Sequence, residues 1–163
     1  MTITIRPAAA ADADAICTIH NQGIADRIAT LDTALRTPAE RRSWLADREG
    51  RHPVIVADVN GTVVGWASLN PFNAREAYDH VADFSIYVER SWRAKGIGRR
   101  LLDRLIELAR SLGYHKLALA ALNHNQAGAA LYTSAGFTRV GVYREQGQLD
   151  GRWVDVLIME KIL

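Results

Sequence analysis

VADFSIYVERSWRAKGIGRRLLDRLIELARSLG, residues 81 to 113, reads as a strand, a short basic turn with two glycines, and a long amphipathic helix. The strand alternates. Ala82, Phe84, Ile86 and Val88 fall on one face, and Val81, Asp83, Ser85 and Tyr87 on the other. In the helix, Ile97, Leu101, Leu105, Leu108, Ala109 and Leu112 recur at helical spacing, while Arg99, Arg100, Asp103, Arg104, Glu107 and Arg110 take the opposite side. Gly113 follows the last apolar residue, where a left-handed cap is expected. Between strand and helix lies Arg93-Ala94-Lys95-Gly96-Ile97-Gly98-Arg99. Its glycines allow a tight turn and a close approach of backbone to ligand. The free N–H groups of a helix start beside three basic side chains suit a pyrophosphate. The loop is not a P-loop, because G-x-x-x-x-G-K-[ST] is absent, and a dinucleotide fingerprint would need glycine where Leu101 stands.

A chain of 163 residues fits one domain, here taken as residues 1–163, and can bury a sizeable core. An apolar content of 48% and a charged content of 23% are ordinary for a globular protein. A net charge of +2 gives little reason to expect nucleic acid. Cys17 is the single cysteine, so no intramolecular disulfide is possible, and it falls on the apolar face of a predicted helix. The five histidines show no clustered spacing, so no metal is expected. No run has the length or apolarity of a signal or a membrane span, and the chain reads as cytoplasmic.

Outward from the central stretch, Thr2 to Arg6 alternates as a first strand ended by Pro7. Asp12 or Asp14 can cap a helix carrying Ala15, Ile16, Ile19 and Ile24. Asp26 to Arg36 has no period and reads as loop. Thr37-Pro38-Ala39-Glu40 opens a second helix with a capping box and runs to about Glu49. Val54–Val59 and Thr62–Leu69 form a hairpin across Asn60-Gly61, with Asn70-Pro71 breaking the second strand. Lys116–Ala121 is a strand and Asn125–Ser134 a short helix. Phe137–Tyr143 and Trp153–Met159 are a final antiparallel pair joined by the loop Arg144–Gly151. The fold class is α+β, a mixed sheet of about seven strands.

Some residues stand out for chemistry. Asp83 lies mid-strand among apolar neighbours, where a carboxylate is uncommon without a task or a partner. Partial burial would raise its pKa toward the range of a general base; a structural ion pair with an arginine is the other reading. Arg75 and Tyr78 are three apart and share a face in a helical turn, and an arginine can hold a carboxylate bidentately. Asn125 is placed to cap its helix.

The pattern [RQ]-x-x-G-x-[GA] after a strand, matched by Arg93 to Gly98, resembles the acetyl-CoA signature of the GNAT acetyltransferases. The segments IRPA, DADAICTIHNQGI, PFNAREAY, LYTSAGF and GRWVDVLIME extend the likeness to the phosphinothricin N-acetyltransferase branch over nearly the whole chain. The resemblance implies a GNAT fold, a mostly antiparallel sheet flanked by about four helices, acetyl-CoA as cosubstrate, and a homodimer. It implies direct acetyl transfer to the α-amino group of a small amino acid or analogue, of the phosphinothricin or methionine sulfone and sulfoximine type. Another small amine or a peptide N-terminus is the enzyme alternative, and a non-catalytic acyl-CoA sensor the further one.

Acetyl transfer from a thioester requires a base for the amine, a donor for the oxyanion and an acid near the thiolate. By the resemblance, Asp83 stands where the branch has a catalytic Glu; its shorter side chain suggests a bridging water. Tyr132 matches the tyrosine that many GNAT enzymes place against the sulfur, where the branch commonly has His. The backbone of Tyr87 and Val88, the loop Arg93, Ala94, Lys95, Gly96, Ile97, Gly98 and Arg99, and the side chain of Asn125 would hold acetyl-CoA. Phe72, Arg75 and Tyr78 would recognise the substrate, and Leu31 stands near where relatives close an aromatic over it. Trp153 and Asp155 share strand parity and are read as structural or dimer-facing.

Overall fold

Alternation from Val81 to Val88 places this strand at the centre of a seven-stranded sheet. The computed structural model describes residues 2–163. Its elements run β1 (Ile3–Pro7), α1 (Ala13–Ala25), α2 (Pro38–Ala46), β2 (Val54–Val59), β3 (Thr62–Pro71), β4 (Val81–Val88), α3 (Ile97–Ser111), β5 (Lys116–Leu122), α4 (Gln126–Ser134), β6 (Thr138–Leu149) and β7 (Arg152–Ile162). The strand order is β1-β2-β3-β4-β5-β7-β6, antiparallel throughout except between β4 and β5.

The two faces of β4 sort the helices. Ala82 and Phe84 join Ala67 and Leu69 of β3 against Ile97, Leu101, Leu102 and Leu105 of α3, all buried. Truncating one such leucine to alanine costs about 2–5 kcal/mol. Gly65 lets α3 approach: a Cβ there would stand 3.1 Å from the side chains of Ile97 and Leu101. On the opposite face, Ile16 and Ile19 of α1 cover Val54, Val56 and Trp66, with Trp44 and Leu45 of α2 at the rim. Cys17 is buried in α1.

Thr37 and Glu40 form the expected capping box, with Glu40 N–H donating to Thr37 Oγ1 at 3.2 Å and Thr37 N–H to Glu40 Oε2 at 3.1 Å. Four expectations need correction. Asp12 precedes α1 but does not cap it: its carboxylate accepts from Arg6 at 2.8 Å and from the Ala9 amide at 2.7 Å, while Asp14 pairs with Arg42. The second helix stops at Ala46 rather than Glu49, and Arg48 beyond it turns to donate to the His52 and Leu69 carbonyls. Asn70-Pro71 does not break β3: Asn70 pairs with Asp83 and Pro71 with Ala82, a proline tolerated at the strand end. The last correction concerns Arg144–Gly151, which is strand as far as Leu149. The chain reverses only at Asp150-Gly151, with φ of 52° and 77°, the left-handed pair of a tight hairpin turn. A register shift between Tyr143 and Gly147 absorbs the extra residues, and the Glu145 amide there donates to Asp155 Oδ1 at 2.7 Å.

Candidate active site

Strands β4 and β5 pair at only two positions, Val81 with Lys116 and Ala82 with Leu117. Past them β5 stays with β7, and β4 diverges. The strands therefore splay into a V, and the facing edge of β4 from Asp83 onward has backbone groups that no strand satisfies. An extended amide-bearing ligand can complete that edge by strand-like hydrogen bonds.

One cleft of about 370 Å³ opens there, lined by Tyr87, Val88, Gly96, Gly98, Asn125 and Tyr132 among others. The turn into α3 forms its far end. Ala94 and Gly96 adopt φ of 59° and 84°, and the first helical bond runs from Arg100 N–H to the Gly96 carbonyl. The amides of Ile97, Gly98 and Arg99 thus have no partner within the helix, which suits an anion. Gly98 keeps this approach open, since a Cβ would stand 3.3 Å from Leu131.

The three basic side chains differ in freedom. Arg93 is braced against Asp26 at 2.6 Å and the Val88 carbonyl at 3.3 Å. Arg99 is engaged with Asp103 at 2.8 Å and the Ser134 carbonyl at 3.2 Å. Lys95 lies 5.1 Å from the Trp92 ring centre and has no ion pair among the described residues. Arg90 and then Arg93 hold the Asp26 carboxyl below its usual range, so Asp26 stays charged as the anchor of the turn. Asn125 caps α4 as expected, Oδ1 accepting from the Gly128 amide at 3.0 Å.

A second cavity of about 250 Å³ adjoins the first on the α1 side, lined by Thr30, Leu31, Asp83, Ser85, Tyr87 and Tyr132 among others. Tyr87 and Tyr132 line both, so they stand at the junction. Tyr87 is held flat on Trp66, with ring centres 5.0 Å apart and 15° between planes. Gly23 of α1 makes room for it, because a Cβ there would lie 2.7 Å from the ring. Burial pushes the Asp83 carboxyl up to about 6, and the Phe84 amide and the Asn70 side chain pull it only partly back. The phenol of Tyr132 is pushed up to about 12, chiefly by burial and further by Tyr87 and Asp83. Near neutral pH the junction thus offers a carboxylate that can accept a proton and a phenol that keeps one.

Of the residues singled out from sequence, Asp83, Tyr87, Val88, Tyr132, Asn125, Arg93, Ala94, Gly96, Ile97, Gly98 and Arg99 line one or both cavities, whereas Lys95 lines neither. Phe72, Arg75 and Tyr78 do not line either. They lie exposed in the segment after β3, Phe72 and Tyr78 with ring centres 5.6 Å apart and Arg75 at the start of a short 3-10 turn. Sequence reasoning did not single out Ser85 or Asn70. Ser85 shares strand parity with Asp83 and could have been found that way; nothing local marks Asn70. His124 is a surface tie, its Nε2 at 2.9 Å from the Arg27 carbonyl. Among the described residues no three His, Cys, Asp or Glu side chains are grouped to hold a metal.

Residues 21–137 match the model of the acetyltransferase (GNAT) family. The L-methionine sulfoximine/L-methionine sulfone acetyltransferase of Salmonella typhimurium is 33% identical over 97% of this chain and 93% of its own. A crystal structure of a ribosomal-protein-alanine N-acetyltransferase from Brucella melitensis is 40% identical, with a TM-score of 0.95 over 98% of this chain and 99% of that one. A phosphinothricin acetyltransferase from Sinorhizobium meliloti, solved in complex with acetyl-CoA, is 32% identical with a TM-score of 0.94, covering 100% of this chain and 89% of that one.

Proposed function

The chain belongs to the GNAT family of acetyltransferases, and from that premise we propose that it acetylates the α-amino group of a small amino acid or analogue, of the phosphinothricin or methionine sulfoximine and sulfone type. It is an acetyl-CoA-dependent N-acetyltransferase. The observation that carries the substrate-side reading is the junction: Asp83, raised to about 6, and Tyr132, raised to about 12, line one small cavity that opens into the cleft.

Acetyl-CoA supplies the acetyl group as a thioester. The splayed edge of β4, Asn125 and the turn from Arg93 to Arg99 hold it, with the helix-start amides facing its phosphates. Asp83 accepts the proton of the amine, directly or through one water, and so frees the nitrogen lone pair for the thioester carbon. As the carbon–sulfur bond breaks, Tyr132 gives its proton to the leaving thiolate. Transfer is direct, because no Ser or Cys among the cavity residues stands beside a base able to activate it. Arg75 holds the substrate carboxylate, with Phe72 and Tyr78 as the neighbouring recognition residues of the exposed segment that follows β3.

The whole chain acts as one domain in this reading. Exposed Trp153 on β7, at 60% of its possible exposure, and exposed Tyr143 on β6, at 56%, lie on opposite faces of the β6–β7 hairpin and support a homodimer that packs around that hairpin. The acetyl-CoA requirement supports a cytoplasmic location.

Thiol release from acetyl-CoA across a panel tests the reading. Phosphinothricin, methionine sulfone, methionine sulfoximine, common amino acids, a polyamine and an alanine-starting peptide would be compared, with Asp83→Ala alongside. Turnover on the amino acid analogues, lost in the variant, is expected. The likeness to the Brucella protein favours one second reading, acetylation of a peptide N-terminus; turnover confined to the peptide would establish it and remove the free amino acid.

A further inference from the structure

Behind Asp83 lies a polar chain that the catalytic reading does not use. Asn70 faces Asp83 across the β3–β4 ladder, as Ser68 faces Ser85. Paired residues of an antiparallel ladder project to the same side, so all four side chains share the α1 face of the sheet. The Asn70 Oδ1 accepts from Arg48 Nη2 at 3.0 Å and from Ser68 Oγ at 2.9 Å. Arginine can only donate, which settles the orientation of the amide: oxygen toward Arg48, NH2 toward β4. One of the two amide hydrogens goes to Ser85 Oγ at 3.0 Å. The other is left on the side where Asp83 stands. Arg48 is itself fixed, donating to the His52 carbonyl at 3.0 Å and lying 4.6 Å over the Trp44 ring.

Two consequences follow from hydrogen counting. Ser85 Oγ accepts from Asn70 and makes no other hydrogen bond among the described residues, so its own hydrogen is free on a side chain that lines the cavity. The Asp83 carboxylate has the Asn70 amide beside it, in addition to the Phe84 backbone N–H. Alternate residues of a strand are about 7 Å apart, so a substrate with its amine at Asp83 reaches Ser85 with an oxygen carried several bonds out on its side chain, not with the α-carboxylate, whose oxygens lie only about 3 Å from the nitrogen.

We propose that Asn70 is a positioning residue of the acceptor cavity, which orients the Asp83 carboxylate and turns the Ser85 hydroxyl hydrogen inward as the donor for an oxygen of the substrate. The substrate class is thereby narrowed to amines that carry a hydrogen-bond-accepting oxygen on the side chain, as a sulfone or phosphinate does, several bonds from the nitrogen. A hydrocarbon amine leaves the Ser85 donor unpaired and is disfavoured. This rests on the reading of Asp83 as the base. Around Asp83, α4 presents Tyr132 and β4 presents Tyr87, and Arg48 stands behind Asn70. The loop residues Thr30 and Leu31, Ala120–Leu122 of β5 and Val156 of β7 carry no ionisable side chain.

The test has two independent readouts. Carboxyl-carbon NMR titration of Asp83 follows the carboxylate without reference to activity. In Asn70→Ala its midpoint is expected to rise by about one pH unit, as for the loss of one donor to a charged group. The acidic limb of kcat/KM moves with it. Ser85→Ala leaves that midpoint in place and raises KM for sulfone, sulfoximine and phosphinate substrates about 10-fold, with kcat little changed. An unmoved midpoint in Asn70→Ala, with kcat/KM lowered evenly at every pH, overturns the proposal and leaves Asn70 a purely structural residue. Should Asn70→Ala not fold, an unchanged KM in Ser85→Ala overturns it on its own. Failure of the base reading is separate, since it appears as full turnover by Asp83→Ala whatever the NMR midpoint does.

Discussion

Asp83→Asn should abolish turnover and at the same time make the protein more stable at neutral pH. The carboxyl has an ordinary value of 3.8 and stands at about 6 in the folded chain. The folded state therefore binds the proton more tightly than the unfolded one, and folding takes up a proton between those two values. Stability contributed by this group is greatest below about 3.8, falls as pH rises through about 6, and above that carries a constant penalty. The difference of about two pH units corresponds to about 3 kcal/mol, an upper figure for the strain of keeping the ionised group in the cavity wall. Asparagine keeps the shape, still accepts from the Phe84 amide, and never ionises. Urea unfolding of the two proteins near about pH 8 should show the variant ahead by about 1–3 kcal/mol, and near about pH 4 the gap should close. In melting temperature the gain is about 2–4 °C per kcal/mol for a chain of this size. A variant that is inactive but no more stable at the higher pH would refute the reasoning, because burial would then not be what raises the carboxyl. A gap that does not depend on pH would also refute it.

Tyr132→Phe removes a proton donor while keeping the ring against Phe84 and Phe137; kcat should fall by about 100-fold, with the acidic limb of the pH–rate profile in place and no alkaline limb below about pH 10 in the parent. Steady-state kinetics over a range of pH checks both. Arg75→Ala should raise KM for free amino acids by at least about 10-fold without changing KM for acetyl-CoA, and unchanged kinetics would remove Arg75 from the site. Asp26→Ala releases Arg93 and Arg90 from their brace, so KM for acetyl-CoA should rise about 10-fold while the amino acid KM holds; isothermal titration with CoA reads the same loss without turnover.

The strand–turn–helix from Val81 to Gly113 was legible because every local rule agreed: alternation, helical period, paired glycines and a closing glycine. Asp83 stood out for the same reason, as a charge in an apolar strand. The β6–β7 hairpin was not legible over Arg144–Leu149, since a polar strand beyond the core lacks alternation and its pairing with Trp153 and Val154 lies outside any local window. The Asp150-Gly151 turn was present as a signal but was absorbed into the presumed loop.

Local spacing alone determined the order of elements, the two faces of β4, and the glycine turn with free amides at the start of α3, because these depend on periods of two and 3.6 residues and on glycine backbone freedom. Only the tertiary structure decided that β4 and β5 part after two pairs, that Arg93 and Arg99 are tied to the protein, and that Tyr132 and Asp83 line one cavity. It also decided that Asn70, thirteen residues before Asp83 in sequence, stands opposite it in register. Ladder register and hydrogen-bond partners depend on which strands meet, and that is settled by burying both faces of the sheet together rather than by any one segment.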